Sequence, residues 1–192
     1  MLVDVARNLF AKMGFENITM NDIAQASKKG RRTLYTYFKS KNDVYQAVID
    51  TEMEKLQQML VNVSVKQQPA DEKLLTFLYT RLNAVKAIVV RNGSLRADFF
   101  RDIWDVERAR KSFDIKETEL IKDILDAGIE EGIFQIADTD SMARVIHYSL
   151  KGLEVPYIRG RFGDTISKKN QLRLNIENMI FNGIRIKTDN PN

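Results

Sequence analysis

Apolar residues recur every three or four positions along most of this chain, a spacing that predicts α-helices. The first helix is predicted over residues 2–13 and ends at Gly14, because glycine is common just past the last turn of a helix. The second begins at Thr19, whose hydroxyl and the carboxylate of Asp22 can form a capping box. A third short helix follows, from about residue 31 to residue 38.

Ser40 is predicted to cap a long fourth helix, with Asp43 as the acidic partner three residues later. That helix extends to about Val63, and a polar stretch ending in Pro69 interrupts the pattern. The remaining helices are predicted over residues 71–91, 95–113 (as one helix or two), 115–131, about 140–157 and about 165–183. With only three prolines and nine glycines, the chain is predicted to be all-α.

The second and third helices are joined by a short basic turn. Gly30 lies in this turn, where we expect a positive φ to carry little steric cost. No acidic residue occurs between positions 28 and 41, whereas six basic residues do: Lys28, Lys29, Arg31, Arg32, Lys39 and Lys41. A small helix pair with this surface is suited to a polyanion.

The excess positive charge of the chain is confined to its N-terminal part. Residues 1–45 contain eight Lys and Arg and four Asp and Glu; the whole chain has 30 and 26, so 22 of each remain beyond residue 45. A nucleic-acid surface has such an asymmetry, because neutralised phosphates release counterions. The alternative is a solvated charged face, which a run of lysines alone would fit better than basic residues interleaved with Thr and Tyr.

The third predicted helix carries side chains suited to reading DNA as the second helix of a helix-turn-helix. Arg31 and Arg32 stand at its start, where side chains reach base edges, and arginine paired with guanine is the commonest specific contact. Thr33 suits a thymine methyl group or a phosphate, and the hydroxyls of Tyr35 and Tyr37 suit phosphates. The alternative for the two tyrosines is packing in a half-buried position.

Eight short segments in the first 45 residues form a recognisable series: Asp4-Val5-Ala6, Leu9-Phe10, Gly14-Phe15, Ile18-Thr19-Met20, Asp22-Ile23-Ala24, Thr33-Leu34-Tyr35, Tyr37-Phe38 and Ser40-Lys41. In their order and spacing, residues 4–45 resemble the N-terminal domain of the TetR family of bacterial transcriptional regulators. Beyond it, the chain is similar to that family in its helical plan and in the segment from Gly128 to Phe134.

The resemblance implies a helix-turn-helix DNA-binding domain (1–45) and a helical effector-binding and dimerisation domain (46–187), and the tail (188–192) is predicted to be disordered. It implies a homodimer that binds a palindromic operator, usually as a repressor that responds to a small molecule. Carried over by position, Thr19, Thr33, Tyr35, Tyr37 and Lys41 would be phosphate contacts or helix braces. Arg31 and Arg32 would contact the bases or the groove.

The turn departs from the family pattern. Lys28-Lys29-Gly30 stands where the family usually has Gly-Val-Ser, so Lys29 must turn outward and the usual capping serine is absent. We expect Lys28 or Lys29 to add a contact to the DNA backbone. The basic arm that precedes the first helix in many relatives is also absent from this sequence.

The C-terminal part shows no catalytic set, so we expect the protein not to be an enzyme. There is no cysteine, no glycine-rich phosphate loop and a single histidine, His147, which is expected in the core or at an interface. We therefore expect neither a cofactor nor a metal site. No secretory signal and no apolar run of about 18 residues is present, which predicts a cytoplasmic protein.

Two sets of residues are candidates for the remaining functions. Aromatic residues between the C-terminal helices are predicted to line an effector pocket for an apolar or amphipathic molecule: Phe77, Phe99, Phe100, Trp104, Phe113 and Tyr148. Apolar residues of the last two helices are predicted to form the dimer interface: Val145, Ile146, Leu150, Leu172, Ile176, Met179 and Ile180. For the aromatic residues the alternative is ordinary core packing. For the whole protein the alternatives are a non-specific architectural DNA-binding protein and a helical binding protein that has lost DNA binding.

Overall fold

The computed structural model describes residues 2–91, 103–163 and 165–184, with side chains for 2–91, 111–163 and 165–182. Those residues form eight helices and no strand: α1 (Leu2–Met13), α2 (Met20–Ala26), α3 (Arg31–Tyr37), α4 (Lys41–Ser64), α5 (Ala70–Arg91), α6 (Ile103–Glu130), α7 (Thr139–Ile158) and α8 (Ile166–Ile184). The predicted all-α class is confirmed. None of these helices has the length and apolar character needed to cross a bilayer.

The helices divide into two compact units. Unit 1 comprises Met1–Leu56 and Ala87–Phe113, and unit 2 comprises Gln57–Lys86 and Asp114–Asn192. Unit 1 therefore contains the whole segment from which the helix-turn-helix was predicted. The proposed division of the chain at residue 45 stays a prediction.

The first three helices share a small apolar core with the start of α4. Phe10 of α1, Ile23 of α2 and Leu34 of α3 are completely buried there, together with Val44 and Val48 of α4. Each side chain occupies the inward position that its helical spacing predicts. The core therefore sets the orientation of α2 and α3, and their polar residues remain on the outside.

Two capping boxes define where α2 and α4 begin. The Thr19 hydroxyl accepts from the backbone N–H of Asp22, and the Asp22 carboxylate accepts from the backbone N–H of Thr19 at 2.8 Å. Hydrogen bonds from Thr19 lower the pKa of the Asp22 carboxyl group. The same exchange links Ser40 and Asp43, so both predicted caps are confirmed.

A buried carboxylate ties α1 to α4 and to the end of α5 within unit 1. Glu52 is almost fully buried, accepts from the Arg7 guanidinium at 3.2 Å and is paired with Arg91. Burial alone would raise the pKa of Glu52, but the hydrogen bond from Arg91 and the contact with Arg7 lower it overall. The charged carboxylate is therefore the favoured state in the folded chain.

Helix α6 differs from the sequence prediction. We expected separate helices over 95–113 and 115–131, whereas one helix runs without interruption from Ile103 to Glu130. The segment around Asp114 contains no proline or glycine that would end a helix. Residues 92–102 lie outside the described part of the chain.

Two glycines at the end of α6, in the segment from Gly128 to Phe134, have distinct structural roles. Gly132 has φ of +72° and closes the helix, and the backbone N–H groups of Ile133 and Phe134 donate to the carbonyl of Gly128. The Phe134 ring lies so close to Gly128 that an added Cβ would be 2.1 Å from it. Glu131 in turn accepts from the backbone N–H of Ala70 at the start of α5.

Unit 2 contains an ion cluster in its interior, formed by Arg81 of α5, Glu117 of α6 and Glu154 of α7. Arg81 is completely buried; its Nε donates to Glu117 and its Nη2 is paired with Glu154. Burial alone would lower the pKa of Arg81, but the two carboxylates raise it above the usual arginine value. The guanidinium therefore links three helices as a permanent charge.

Candidate nucleic-acid interface

Helix α3 presents almost all of its side chains to solvent. Of its seven residues only Leu34 is buried, and this single anchor holds the helix against the unit 1 core. Arg31, Arg32 and Thr33 are exposed at its start. The helix therefore offers arginine and hydroxyl groups along one outward surface, as a recognition helix must.

The two tyrosines of α3 also lie outside the core. Tyr37 is 70% exposed and is not in a half-buried position, whereas Tyr35 is 42% exposed and fits the half-buried alternative as well as a phosphate contact. The guanidinium carbon of Arg31 lies 5.7 Å from the centre of the Tyr35 ring, which is within the range of a cation–π contact. This contact limits the positions that the Arg31 side chain adopts before any ligand is bound.

One exposed α3 residue was absent from the predicted interface. Thr36 is exposed, and its hydroxyl donates to the backbone carbonyl of Thr33. The spacing of Thr33 and Thr36, three residues apart on a helix, is the signal that would have placed them on a common surface.

The turn between α2 and α3 takes a different conformation from the one predicted. Gly30 has φ of −62°, whereas Lys28 has φ of 54° and is in the left-handed region. Lys28 occupies the position where the TetR pattern has glycine, the residue that takes this conformation at the lowest steric cost. Lys29 is exposed, as its replacement of the usual valine requires, and Gly30 supplies no side-chain cap to α3.

Replacing Lys28 by glycine is expected to stabilise the protein by up to about 1 kcal/mol. The left-handed conformation costs a residue with a Cβ about 1–2 kcal/mol, and the greater freedom of glycine in the unfolded chain offsets about half of that. The midpoint of urea unfolding measures the change. Lys29→Gly is the matched control and should destabilise, because Lys29 is outside the left-handed region; equal destabilisation by both variants contradicts the prediction.

Thr19 and Lys41 flank this surface but already have partners within unit 1. The Thr19 hydroxyl takes part in the α2 cap. The Lys41 ammonium donates to the carbonyl of Phe15 at 2.8 Å and lies 4.2 Å from the centre of its ring. Lys41 thus contacts the segment between α1 and α2, and its role at the DNA stays a prediction.

Of the six predicted pocket residues, the structure describes the side chains of three, which lie in different environments. Phe77 in unit 2 and Phe113 in unit 1 are buried. Tyr148 is 65% exposed, because it faces outward on α7, and it does not line an interior cavity of unit 2. Phe99 and Phe100 lie outside the described residues, as does the side chain of Trp104.

A different cavity lies in unit 2 between α5 and α8. It is an open groove of about 390 Å³ with a mostly charged lining, which includes Asp71, Glu72, Arg173 and Glu177. Nearby, burial raises the pKa of Tyr79 to about 12. This groove has none of the aromatic lining that the sequence predicted for an effector pocket.

The predicted interface residues fall into two groups. Four of them are buried in the core of unit 2, where they pack within their own chain: Ile146, Leu150, Leu172 and Ile176. Val145 and Met179 are more than half exposed, and Ile180 is partly exposed. Most of the apolar residues predicted for the interface therefore lie on the inward faces of α7 and α8. Only the exposed and partly exposed ones at the edges of those faces are available to a partner.

Comparison with known proteins agrees with the geometry of α1 to α4. The family profile for bacterial regulatory proteins of the TetR family matches residues 2–48, which include the exposed α3 surface and the core beneath it. Residues 2–48 therefore form a DNA-binding domain of the TetR type. This confirms the resemblance drawn from residues 4–45.

Individual relatives extend the similarity beyond the TetR N-terminal domain. The Mycobacterium tuberculosis transcriptional regulator MftR is 40% identical over 68 residues, which are 35% of this chain and 34% of that protein. QacR of Staphylococcus aureus is 21% identical over 155 residues, covering 79% of this chain and 81% of QacR. A transcriptional regulator from Cytophaga hutchinsonii has the same fold, with a TM-score of 0.76, 23% identity and coverage of 96% and 97%.

Proposed function

We propose that this protein is a sequence-specific, DNA-binding transcriptional regulator of the TetR family that binds a palindromic operator as a homodimer. The observation that carries the proposal is the α3 surface, where one buried leucine supports six exposed residues with arginine, threonine and tyrosine side chains. Exposed lysines of the preceding turn extend the positive surface. Arginine supplies base recognition and the hydroxyls and lysines supply phosphate contacts.

A second copy of this chain is the proposed partner of unit 2. Several large apolar side chains remain exposed on α7 and α8: Val145, Tyr148, Ile166, Leu174 and Met179. Gly152 lies on the same side of α7, one or two turns beyond Val145 and Tyr148, and a Cβ there would meet no atom within 4 Å. A helix face with an open glycine allows a neighbouring helix to approach closely, and a two-fold axis would bury these side chains in pairs.

The proposed sign of regulation is repression that a small molecule relieves. A ligand changes DNA affinity only if it binds the two states of the protein differently. The proposed effector is an apolar or amphipathic small molecule, and the aromatic side chains predicted to contact it are part of the same proposal. The support is the match of residues 2–48 to the profile of the TetR family, whose members usually respond in this way.

Selection from a random pool of duplexes tests the proposal. We expect a consensus with two-fold symmetry and half-sites about 34–36 Å apart, because the dimer presents two copies of α3. Gly152→Glu should be monomeric in sedimentation and bind this consensus much more weakly, since its carboxylate disrupts the partner face but fits the isolated chain. Gly152→Ala is the matched control and should remain dimeric.

Two outcomes contradict specific parts of this proposal. Equal affinity for unrelated duplexes identifies a non-specific architectural protein, and no affinity for any duplex at low salt identifies a binding protein that has lost DNA binding. A Gly152→Glu variant that stays dimeric shows that the α7 face is not the interface.

A further inference from the structure

A second group of buried polar atoms in unit 2 adjoins the Arg81 ion cluster. It consists of Asp114 and Glu117 of α6 and His147 of α7, and we call it the His147 cluster. One ligand atom from each of the three residues lies within 4.8 Å of the others. Glu117 and His147 are almost completely buried, which separates this group from the many carboxylates at the surface.

Three potential metal-ligand atoms of the His147 cluster make no hydrogen bond. They are Nδ1 of His147, Oε2 of Glu117 and Oδ1 of Asp114, and each is shielded from solvent. Nδ1 lies 2.8 Å from Oε2, yet the pair does not have the angles of a hydrogen bond. Buried polar atoms almost always have a hydrogen-bond partner. Three potential ligand atoms that converge without one are therefore suited to bind a common ion.

We propose that the His147 cluster binds one divalent transition-metal ion, with Zn²⁺, Mn²⁺ and Fe²⁺ as the candidates. One imidazole and two carboxylates form a mixed nitrogen and oxygen ligand set that suits these ions better than Ca²⁺ or Mg²⁺. Ligand atoms about 2.1 Å from one ion lie about 3.0–3.4 Å from each other in octahedral or tetrahedral geometry. The 2.8 Å contact of Nδ1 with Oε2 is already close to that separation.

Asp114 is the ligand that must adjust. Its Oδ1 lies 3.8 Å from Nε2 on the other edge of the imidazole ring. The Asp114 side chain is partly exposed and makes one strong contact, in which Lys151 donates to its Oδ2 at 2.7 Å. A rotation about its side-chain bonds brings Oδ1 towards Glu117, provided that the Lys151 ammonium moves away.

The charge balance of the site favours replacement of the Lys151 ammonium by a metal ion. Asp114, Glu117 and Glu154 carry three negative charges, and Arg81 and Lys151 carry two positive ones. The Lys151 side chain is 30% exposed, so its ammonium can return to water. Without it, two negative charges remain uncompensated, and a single divalent ion neutralises both.

Arg81 orients the Glu117 carboxylate as a metal ligand. Its Nε donates to Oε1 of Glu117, which leaves Oε2 directed at His147. A partner that fixes the far side of a ligand is typical of metal sites in proteins. Three protein ligands also leave at least one coordination position for water or for a small molecule.

Metal titration of the purified full chain tests the inference without DNA, so its result is independent of the proposed DNA binding. After treatment with a chelator, the chain is titrated by calorimetry with Zn²⁺ and Mn²⁺, and with Mg²⁺ for comparison. We expect one Zn²⁺ or Mn²⁺ per chain and much weaker binding of Mg²⁺. Co²⁺ should give visible absorption bands on binding to the wild-type protein, which reports on the ligand set without any substitution.

Three substitutions distinguish a metal site from an ion cluster that only links α6 to α7. His147→Gln and Asp114→Asn should weaken binding by about 100-fold or more, beyond the ~10–100-fold typical of outer partners. Asp114→Asn changes a partly exposed residue and keeps the test valid if His147→Gln fails to fold. Lys151→Gln removes the competing ammonium and should leave the affinity unchanged or increased.

The inference is overturned if no ion binds with one-to-one stoichiometry, or if the two ligand variants bind as the wild type does. Absence of binding would mean that the three side chains form only an ion cluster that links α6 to α7. Weaker binding by Lys151→Gln would show that the ammonium is part of the site and would also contradict the exchange.

Discussion

Replacing both Arg31 and Arg32 by alanine is expected to weaken binding to each half-site of the selected operator by roughly 30-fold to 10⁴-fold. Each bidentate contact of arginine with guanine contributes about 1–3 kcal/mol of discrimination, and about 1.4 kcal/mol corresponds to a factor of ten in affinity. Both guanidinium groups are exposed at the start of α3, and the core beneath them does not depend on either one. Fluorescence anisotropy with labelled operator and labelled unrelated duplex measures the change.

The two duplexes distinguish base recognition from simple attraction to phosphates. If Arg31 and Arg32 read bases, affinity for the operator falls more than affinity for the unrelated duplex. If they contact only phosphates, both affinities fall together and the dependence on salt becomes shallower.

Lys66→Ala combined with Lys116→Ala is the matched control, because it removes the same charge from exposed positions of unit 2. This control should retain almost the full affinity of the wild type for the operator. An equal loss in the control and in the arginine variant would mean that net charge, rather than the α3 surface, governs binding.

Replacing Arg81 by methionine is expected to destabilise the protein by about 3–5 kcal/mol, the range found when one partner of a buried ion pair is removed. Glu117 and Glu154 would remain buried without their shared counter-ion. For a chain of this length the loss corresponds to a decrease in Tm of roughly 6–20 °C. Thermal and urea unfolding in the presence of a chelator measure it without any contribution from bound metal.

Two comparisons show whether the effect comes from buried charge. Arg144→Met removes an arginine that pairs with Asp140 on the surface of α7, and it should change stability by no more than about 0.5 kcal/mol. Combining Arg81→Met with Glu117→Gln and Glu154→Gln should recover much of the loss, because no uncompensated charge remains. An Arg81→Met variant as stable as the wild type contradicts the account of the cluster.

The helix caps and the α3 surface of the N-terminal part could be predicted from the sequence. Thr19 with Asp22 and Ser40 with Asp43 are three residues apart, so each cap depends only on neighbouring backbone and could be predicted from spacing. The α3 surface was predictable for the same reason, since a seven-residue helix with one leucine has one way to face a core.

The conformation of the turn was harder to predict. Gly30 was the natural candidate for a positive φ, yet Lys28 takes that conformation. Composition alone favours glycine at such a position. The packing of α2 against α3 decides which residue of the turn must adopt it.

By itself, the sequence determined the helical class, the position of the helix-turn-helix and the charge of its outer surface, because these depend on residues close together in the chain. The tertiary structure alone decided that Ile146 and Leu150 pack inside the chain, since an apolar stripe does not reveal which element covers it. It alone brought His147 beside Asp114 and Glu117, about thirty residues away in sequence. That proximity arises from the packing of α6 and α7, which no local pattern encodes.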